Sequence, residues 1–197
     1  MGLLDALKRL FLGDPTASSS SDATGGADAP IDPLADLSLD KLREGFMVDY
    51  EMRTWEVTKH AKLDYDGWPA DEWTLENDDD MLYLEHEDDS GDVFYLSEPI
   101  DLAEVRTDDG PLREVLRDQD APPATVMHDG TTYTLDEEGP VTRMVRGELM
   151  RAYYWSYASG DDFIAFERFG ESDWSAYAGR EVEPYEFDNI LPRAADA

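Results

Sequence analysis

Residues 72–99, EWTLENDDDMLYLEHEDDSGDVFYLSEP, decide the fold. Trp73 and Leu75 alternate with Glu72, Thr74 and Glu76. This period of two puts one set of side chains against a core and the other on the opposite face of a strand. Asn77–Asp80 then breaks the run, because Asn and Asp side chains bond to nearby backbone and favour turns. Two apolar runs follow, Met81–Leu84 and Val93–Leu96, and the charged stretch Glu85–Asp92 between them reads as a polar turn. Aromatic and β-branched residues bounded by Asp, Asn and Gly predict antiparallel strands.

The pattern recurs further along. At an offset of 82, Trp73 falls on Trp155, Leu75 on Tyr157, Met81 on Phe163, Leu84 on Phe166, Glu85 on Glu167 and Tyr95 on Tyr177. At an offset of 78, Trp55-Glu56-Val57 falls on Tyr133-Thr134-Leu135. One β-meander is therefore expected twice, in halves of about 45–105 and 124–191. A short helix is expected between them at Pro111–Asp118, with proline at its first turn and Leu112, Val115 and Leu116 on one face. The expected fold class is all-β: two related antiparallel meanders forming a barrel- or sandwich-like body over 37–191.

Two segments precede that body. Residues 1–13, MGLLDALKRLFLG, read as a short amphipathic helix. Leu3, Leu4, Leu7, Leu10 and Phe11 share one face, and Gly13 with Pro15 supplies a stop. Residues 14–36, rich in Ser, Gly, Ala, Asp and Pro, have little to bury and are expected to be a disordered linker. A tethered amphipathic helix suits docking into a protein partner or a membrane interface. The alternative is that it packs back on its own body.

Charge bounds the partners. The chain has 47 Asp plus Glu against 16 Lys plus Arg, a formal net charge of -31. Lysine occurs only at Lys8, Lys41, Lys59 and Lys62. In dilute buffer this charge destabilises a compact state by self-repulsion. At roughly 1 M salt the Debye length is about 3 Å and the repulsion is screened. A haloadapted protein is expected. Nucleic-acid binding draws on Lys and Arg at phosphates, and Arg143, Arg146 and Arg151 are too small a cluster for it, so no nucleic-acid partner is expected. The chain has no cysteine, which removes thiolate chemistry and disulfides. No apolar run approaches the roughly 18 residues of a membrane span. The expected location is cytoplasmic, free or peripheral to the membrane.

Leu39-x-x-Leu42-x-x-Gly45-x-x-Val48-Asp49-Tyr50-x-x-Arg53-x-Trp55-x-Val57 opens the body. Glu72-Trp73-x-Leu75, Tyr157–Asp162, Gly170-Glu171, Trp174-Ser175 and Tyr177-x-Gly179 follow. Over about 37–191 these motifs resemble the family of domain of unknown function 4178. The resemblance implies a β-rich domain without an assigned reaction. Some members are encoded beside phage-shock-protein-A-like membrane-stress proteins, small membrane proteins and polyamine aminopropyltransferases, which implies an accessory role near membranes.

No residue set stands out as catalytic. Gly170-Glu171-Ser172-Asp173 lacks the second glycine of a nucleophile elbow. His60, His86 and His128 are far apart in sequence, and the Asp runs at 78–80 and 88–92 lack EF-hand spacing, so no metal or other cofactor is expected. Trp73, Tyr154, Trp155, Tyr157 and Trp174 form a candidate ligand groove, against the alternative that they pack a core. Alternation also sends Tyr154 to the face opposite Tyr153 and Trp155. The expected function is a non-enzymatic adaptor in a membrane-stress system. A small-ligand or cation-binding β-barrel is the alternative, with an uncharacterised enzyme third.

Overall fold

The computed structural model describes residues 37–88 and 92–192. The proposed N-terminal helix, its apolar face and the linker lie outside them. Two strands open the body, β1 (Met47–Tyr50) and β2 (Arg53–Asp64). They are followed by β3 (Pro69–Asn77), β4 (Asp80–Asp88) and β5 (Asp92–Pro99). Short strands β6 (Arg106–Thr107) and β7 (Gly110–Pro111) lead into helix α1 (Leu112–Asp118). Then come β8 (Thr125–His128), β9 (Thr131–Val145), β10 (Glu148–Ser159), β11 (Asp162–Phe169), β12 (Asp173–Val182) and β13 (Phe187–Leu191).

The 13 strands form one antiparallel sheet. Its hydrogen-bonding closes on itself. From β2 the order runs through β3, β4, β5, β12, β11, β10 and β9, and β9 returns to β2 at Ala61↔Val145 through Asp64↔Thr142. Closure of this kind leaves the ring strands without a free edge along the paired stretches. The two four-strand runs match in register where they begin. Val57 pairs with Leu75 and Trp73 with Leu84; Leu135 pairs with Tyr157 and Trp155 with Phe166. These pairings carry both sequence offsets, 78 on the first strand and 82 on the next two. The last strands differ: Tyr83 faces Ser97, whereas Ala165 faces Tyr177. Tyr177 therefore stands where Ser97 does, two residues from the match with Tyr95 that the sequence offset predicts.

The charged stretch 85–92 is not one long turn. Glu85–Asp88 belongs to β4, and Glu85 pairs with Tyr95. The chain continues as strand because alternate residues still find apolar company: Leu84 is fully buried and His86 stacks on Phe94 at 4.5 Å. The helix is found at Leu112–Asp118, with Pro111 as its N-cap.

Alternation gives each meander two unlike faces. On one, Val57, Trp73, Leu75, Leu84, Phe94 and Leu96 form an apolar core capped by Leu39, Leu42, Val48 and Phe187. On the other meander, Trp155, Tyr157, Ile164 and Phe166 pack under Val105, Leu112 and Val126. Burying each large side chain contributes about 1.5–3 kcal/mol. Their polar ends are mostly satisfied: Trp73 Nε1 donates to Leu42 O at 2.9 Å, and Tyr157 Oη to Pro123 O at 2.8 Å. The last strand, β13, crosses back to pair with β1, and Phe187 joins the first core.

Gly179 makes the β5–β12 seam. A Cβ there would lie 2.5 Å from Leu96 O and 2.6 Å from Phe163 Cζ.

Candidate functional site

The faces turned away from the two apolar cores meet around a cavity of about 60 Å³. Its walls come from seven of the ring strands and from Tyr65 in the turn after β2: Glu72, Tyr83, Glu85, Tyr95, Ser97, Arg143, Tyr154, Phe163, Ala165, Glu167 and Tyr177. Strand period explains the set. Glu72 lies beside Trp73, Glu85 beside Leu84, Tyr154 beside Trp155 and Glu167 beside Phe166, each on the face opposite its apolar neighbour.

Arg143 is the hub. Its Nη1 donates to Glu72 Oε1, and its Nη2 donates to both oxygens of Glu167 at 3.1 and 3.2 Å. Glu72 and Glu167 are buried, at 8% and 7% side-chain exposure, and Arg143 is largely so, at 13%. Burial opposes the guanidinium's charge, but Glu72 and Glu167 outweigh it and hold the proton on. Burial pushes the Glu72 carboxyl up, and the adjacent Arg143 offsets part of that. Removing two charges from water is costly, and the contact repays it only with good geometry and satisfied hydrogen bonds.

Glu85 is different. Tyr65 Oη donates to its Oε2 at 3.0 Å, whereas Oε1 is buried with no hydrogen-bond partner. No cation among the described residues pairs with it. Burial, then the nearby charges of Glu87 and Glu72, push this carboxyl well above the usual carboxylate range. Burial first, and then Glu85, also raises the Tyr65 phenol. The aromatic walls pack edge to face: Tyr65 with Tyr154 at 4.9 Å, Tyr83 with Tyr177 at 5.3 Å and Tyr95 with Phe163 at 6.1 Å. Such edge-on pairs favour a rigid wall. The arrangement can hold a proton, accept hydrogen bonds and enclose a small polar guest.

The five aromatic residues of the predicted groove fall in three places. Trp73 is in the first apolar core. Trp155 and Tyr157 are in the second, with half-buried Trp174 against them. Tyr154 faces the chamber, opposite to Tyr153 and Trp155 as alternation predicts. Leu3, Leu4, Leu7, Leu10 and Phe11 lie outside the described residues. Two histidines bracket Trp73: His60 stacks on it at 5.3 Å and His86 at 6.4 Å. His60 meets Asp71 and His86 meets Asp92. Among the described residues, no group of three or more His, Asp or Glu is arranged to hold a metal ion. The basic cluster is split: Arg143 is inside, Arg146 pairs with Glu44 at 2.8 Å, and Arg151 is exposed.

Sequence reading misses Arg143, Glu72, Glu85 and Glu167 as a site. One signal was present: Glu85 and Glu167 match at the 82-residue offset, both next to a core residue. An acid repeated beside a buried position in two strands marks an inward polar face.

Among the described residues no helix is long and apolar enough to cross a membrane. No solved structure matches the chain. An "Uncharacterized protein" of Aquifex aeolicus (strain VF5) is 28% identical over 194 residues, covering 98% of this chain and 100% of that protein. The family model described as "Domain of unknown function (DUF4178)" matches residues 43–184. That span contains the whole ring and every residue of the chamber, and the chain belongs to the DUF4178 family.

Proposed function

We propose that this chain is a solute-binding β-barrel of a haloadapted cell, built from two related meanders, with the chamber between them as the binding site. The observation that carries this reading is the convergence of three carboxylates, Glu72, Glu85 and Glu167, and one guanidinium, Arg143, on a cavity inside the ring. The two apolar cores lie outside the ring, and an interior of well-packed apolar residues would be no less stable than buried ion pairs. Perturbed titratable groups that converge on a cavity are the usual mark of a functional site.

The test is a small-solute screen by thermal shift at constant high salt. Wild type is compared with Ala165→Leu, which fills the chamber. A saturable shift in wild type that Ala165→Leu loses supports the reading. A shift of equal size in both proteins, or none in wild type, rejects it.

A second reading is an adaptor, cytoplasmic or peripheral to the membrane, that engages a protein partner or a membrane interface. The β9–β10 hairpin favours it. Met144, Leu149 and Met150 are 42%, 55% and 41% exposed there, beside exposed Arg146 and Arg151. Exposed apolar side chains next to arginines suit such a contact, and the apolar residues of 1–13 would be a second one. Co-purification of a partner or of membranes should be lost with Leu149→Glu or on deletion of residues 1–13. Retention in both variants would remove this reading.

A further inference from the structure

We infer that residues 1–13 of this chain dock on its own body, in the open groove over the β5–β12 seam, a surface separate from the chamber. The groove has a volume of about 880 Å³. The β1–β2 hairpin walls one side through Glu51 and Arg53, and the β8–β9 turn walls another through His128 and Asp129. Its base is apolar. Trp55 and Leu96 belong to the first core and Tyr133 to the second, and half-buried Leu82 and Ala178 pack against those same cores. The two cores thus come to the surface in one trough. A space of that size is at the upper end of small-molecule pockets. Being open, it suits the apolar face of an amphipathic segment better than a small solute.

Exposed carboxylates rim that base: Glu51, Asp79, Glu98, Asp129 and Asp162. The arginines that line the groove are already committed, Arg53 to Asp80 at 2.7 Å and Arg180 to Glu186 at 2.6 Å. The fitting occupant is therefore apolar on one face and basic beside it, and residues 1–13 have that pattern. Leu3, Leu4, Leu7, Leu10 and Phe11 share one helical face, and Lys8 flanks it. Lys8-Arg9 is the one place in the chain where two basic residues adjoin, and Asp5 is the only acid in this stretch. Exposed ion pairs contribute little singly, so the apolar base supplies the contact and the charges select the face.

Reach favours the same place. The described chain enters the body at the first core, where Leu39 and Leu42 pack with Trp55 and Leu96. A Ser- and Gly-rich stretch as long as residues 14–36 spans about 25 Å by root mean square, enough to return to the rim of that core. Such a tether gives the segment a high effective concentration there. The apolar hairpin surface with Met144 and Leu149 is the poorer seat, because Arg146 and Arg151 beside it have the same sign as Lys8 and Arg9. Docked in the groove, residues 1–13 are withheld from the external contact that the adaptor reading gives them, so a partner must compete with the body for them.

The chain has no cysteine, so Ala6→Cys gives a single attachment point for a nitroxide label in the full chain. The experiment reads paramagnetic loss of backbone amide signals, at the lowest potassium chloride concentration that keeps the body folded. The expected result is loss of the Asp79, Asp129 and Asp162 signals with those of Met144 and Leu149 intact. Lys8→Glu with Arg9→Glu should return the groove signals. Adding Asp79→Lys and Asp162→Lys to that reversed chain should remove them again, as the charge pattern is restored with opposite signs. Asp79 and Asp162 are exposed and line no part of the chamber, so failure here leaves the chamber reading standing. Signal loss centred on the hairpin, no loss at the groove, or a loss indifferent to the charge reversal would overturn the docking. Labelled chains mixed with unlabelled, isotope-enriched ones test a second copy as the donor of the segment. Loss of groove signals in that mixture would overturn docking within one chain.

Discussion

Glu85 on β4 and Glu167 on β11 stand 82 positions apart and face one chamber, yet only Glu167 is held by a guanidinium. Similar positions in the two meanders thus carry the same acid in two electrostatic states. One closes an ion-pair network with Arg143 and Glu72. The other accepts one hydrogen bond, from Tyr65, and has its second oxygen buried without a partner. This asymmetry is what turns a packed interior into a candidate site.

Stability should depend on pH through Glu85. Burial and the neighbouring acids Glu87 and Glu72 raise Glu85, so the folded state keeps a proton that the unfolded chain releases in the usual carboxylate range. The stability this confers is complete below that range and is lost as pH rises through the raised folded value. Glu72 shifts the same way, opposed by Arg143. Glu85→Gln removes one such titration without changing shape. Its thermal midpoint should fall less than that of wild type as pH rises above the usual carboxylate range. Equal falls in the two proteins would contradict this assignment.

Arg143→Met should be severe. It strands Glu72 and Glu167 in the interior, and breaking a buried pair by removing one partner costs about 3–5 kcal/mol. The triple variant with Glu72→Gln and Glu167→Gln should recover part of the loss. Chemical denaturation at high salt measures both. A cost below about 1 kcal/mol for the single change would place Arg143 in solvent.

At the seam, Gly179→Ala should destabilise by about 1–3 kcal/mol, since its Cβ meets backbone that cannot rotate away. Gly139→Ala is the contrast, because that Cβ meets only Tyr154 Cε1 at 3.4 Å. If the two substitutions cost the same, β5 and β12 do not approach as closely as described.

Tyr157→Phe removes the hydrogen bond to Pro123 O in a fully buried setting, at a cost of about 0.5–1.5 kcal/mol. Tyr185→Phe, 79% exposed, should be neutral. Unfolding curves of the pair separate a buried bond from a general effect of losing a hydroxyl.

Much of the fold can be read from single residues. Trp73 and Leu75 announce a strand by alternation, and the offsets of 78 and 82 map the pair Val57–Leu75 onto the pair Leu135–Tyr157, although the pairing itself comes only from the fold. Tyr177 shows where that reading stops. An offset is blind to the two-residue register change between β11 and β12. The site is harder because its residues are polar. Glu85-His86-Glu87 looks like part of a turn when polarity is taken as exposure, since an inward polar face erases the contrast that alternation depends on. Arg143 looks like one of three surface arginines. Its partners stand 71 residues before it and 24 after it, a convergence that only the closed ring creates.

The most direct test is infrared difference spectroscopy of wild type against Glu85→Gln across a pH series in high salt. The account predicts a protonated-carboxyl carbonyl band in wild type that is missing from the variant and that persists as pH rises above the ordinary carboxylate range. Loss of that band within the ordinary carboxylate range would contradict it.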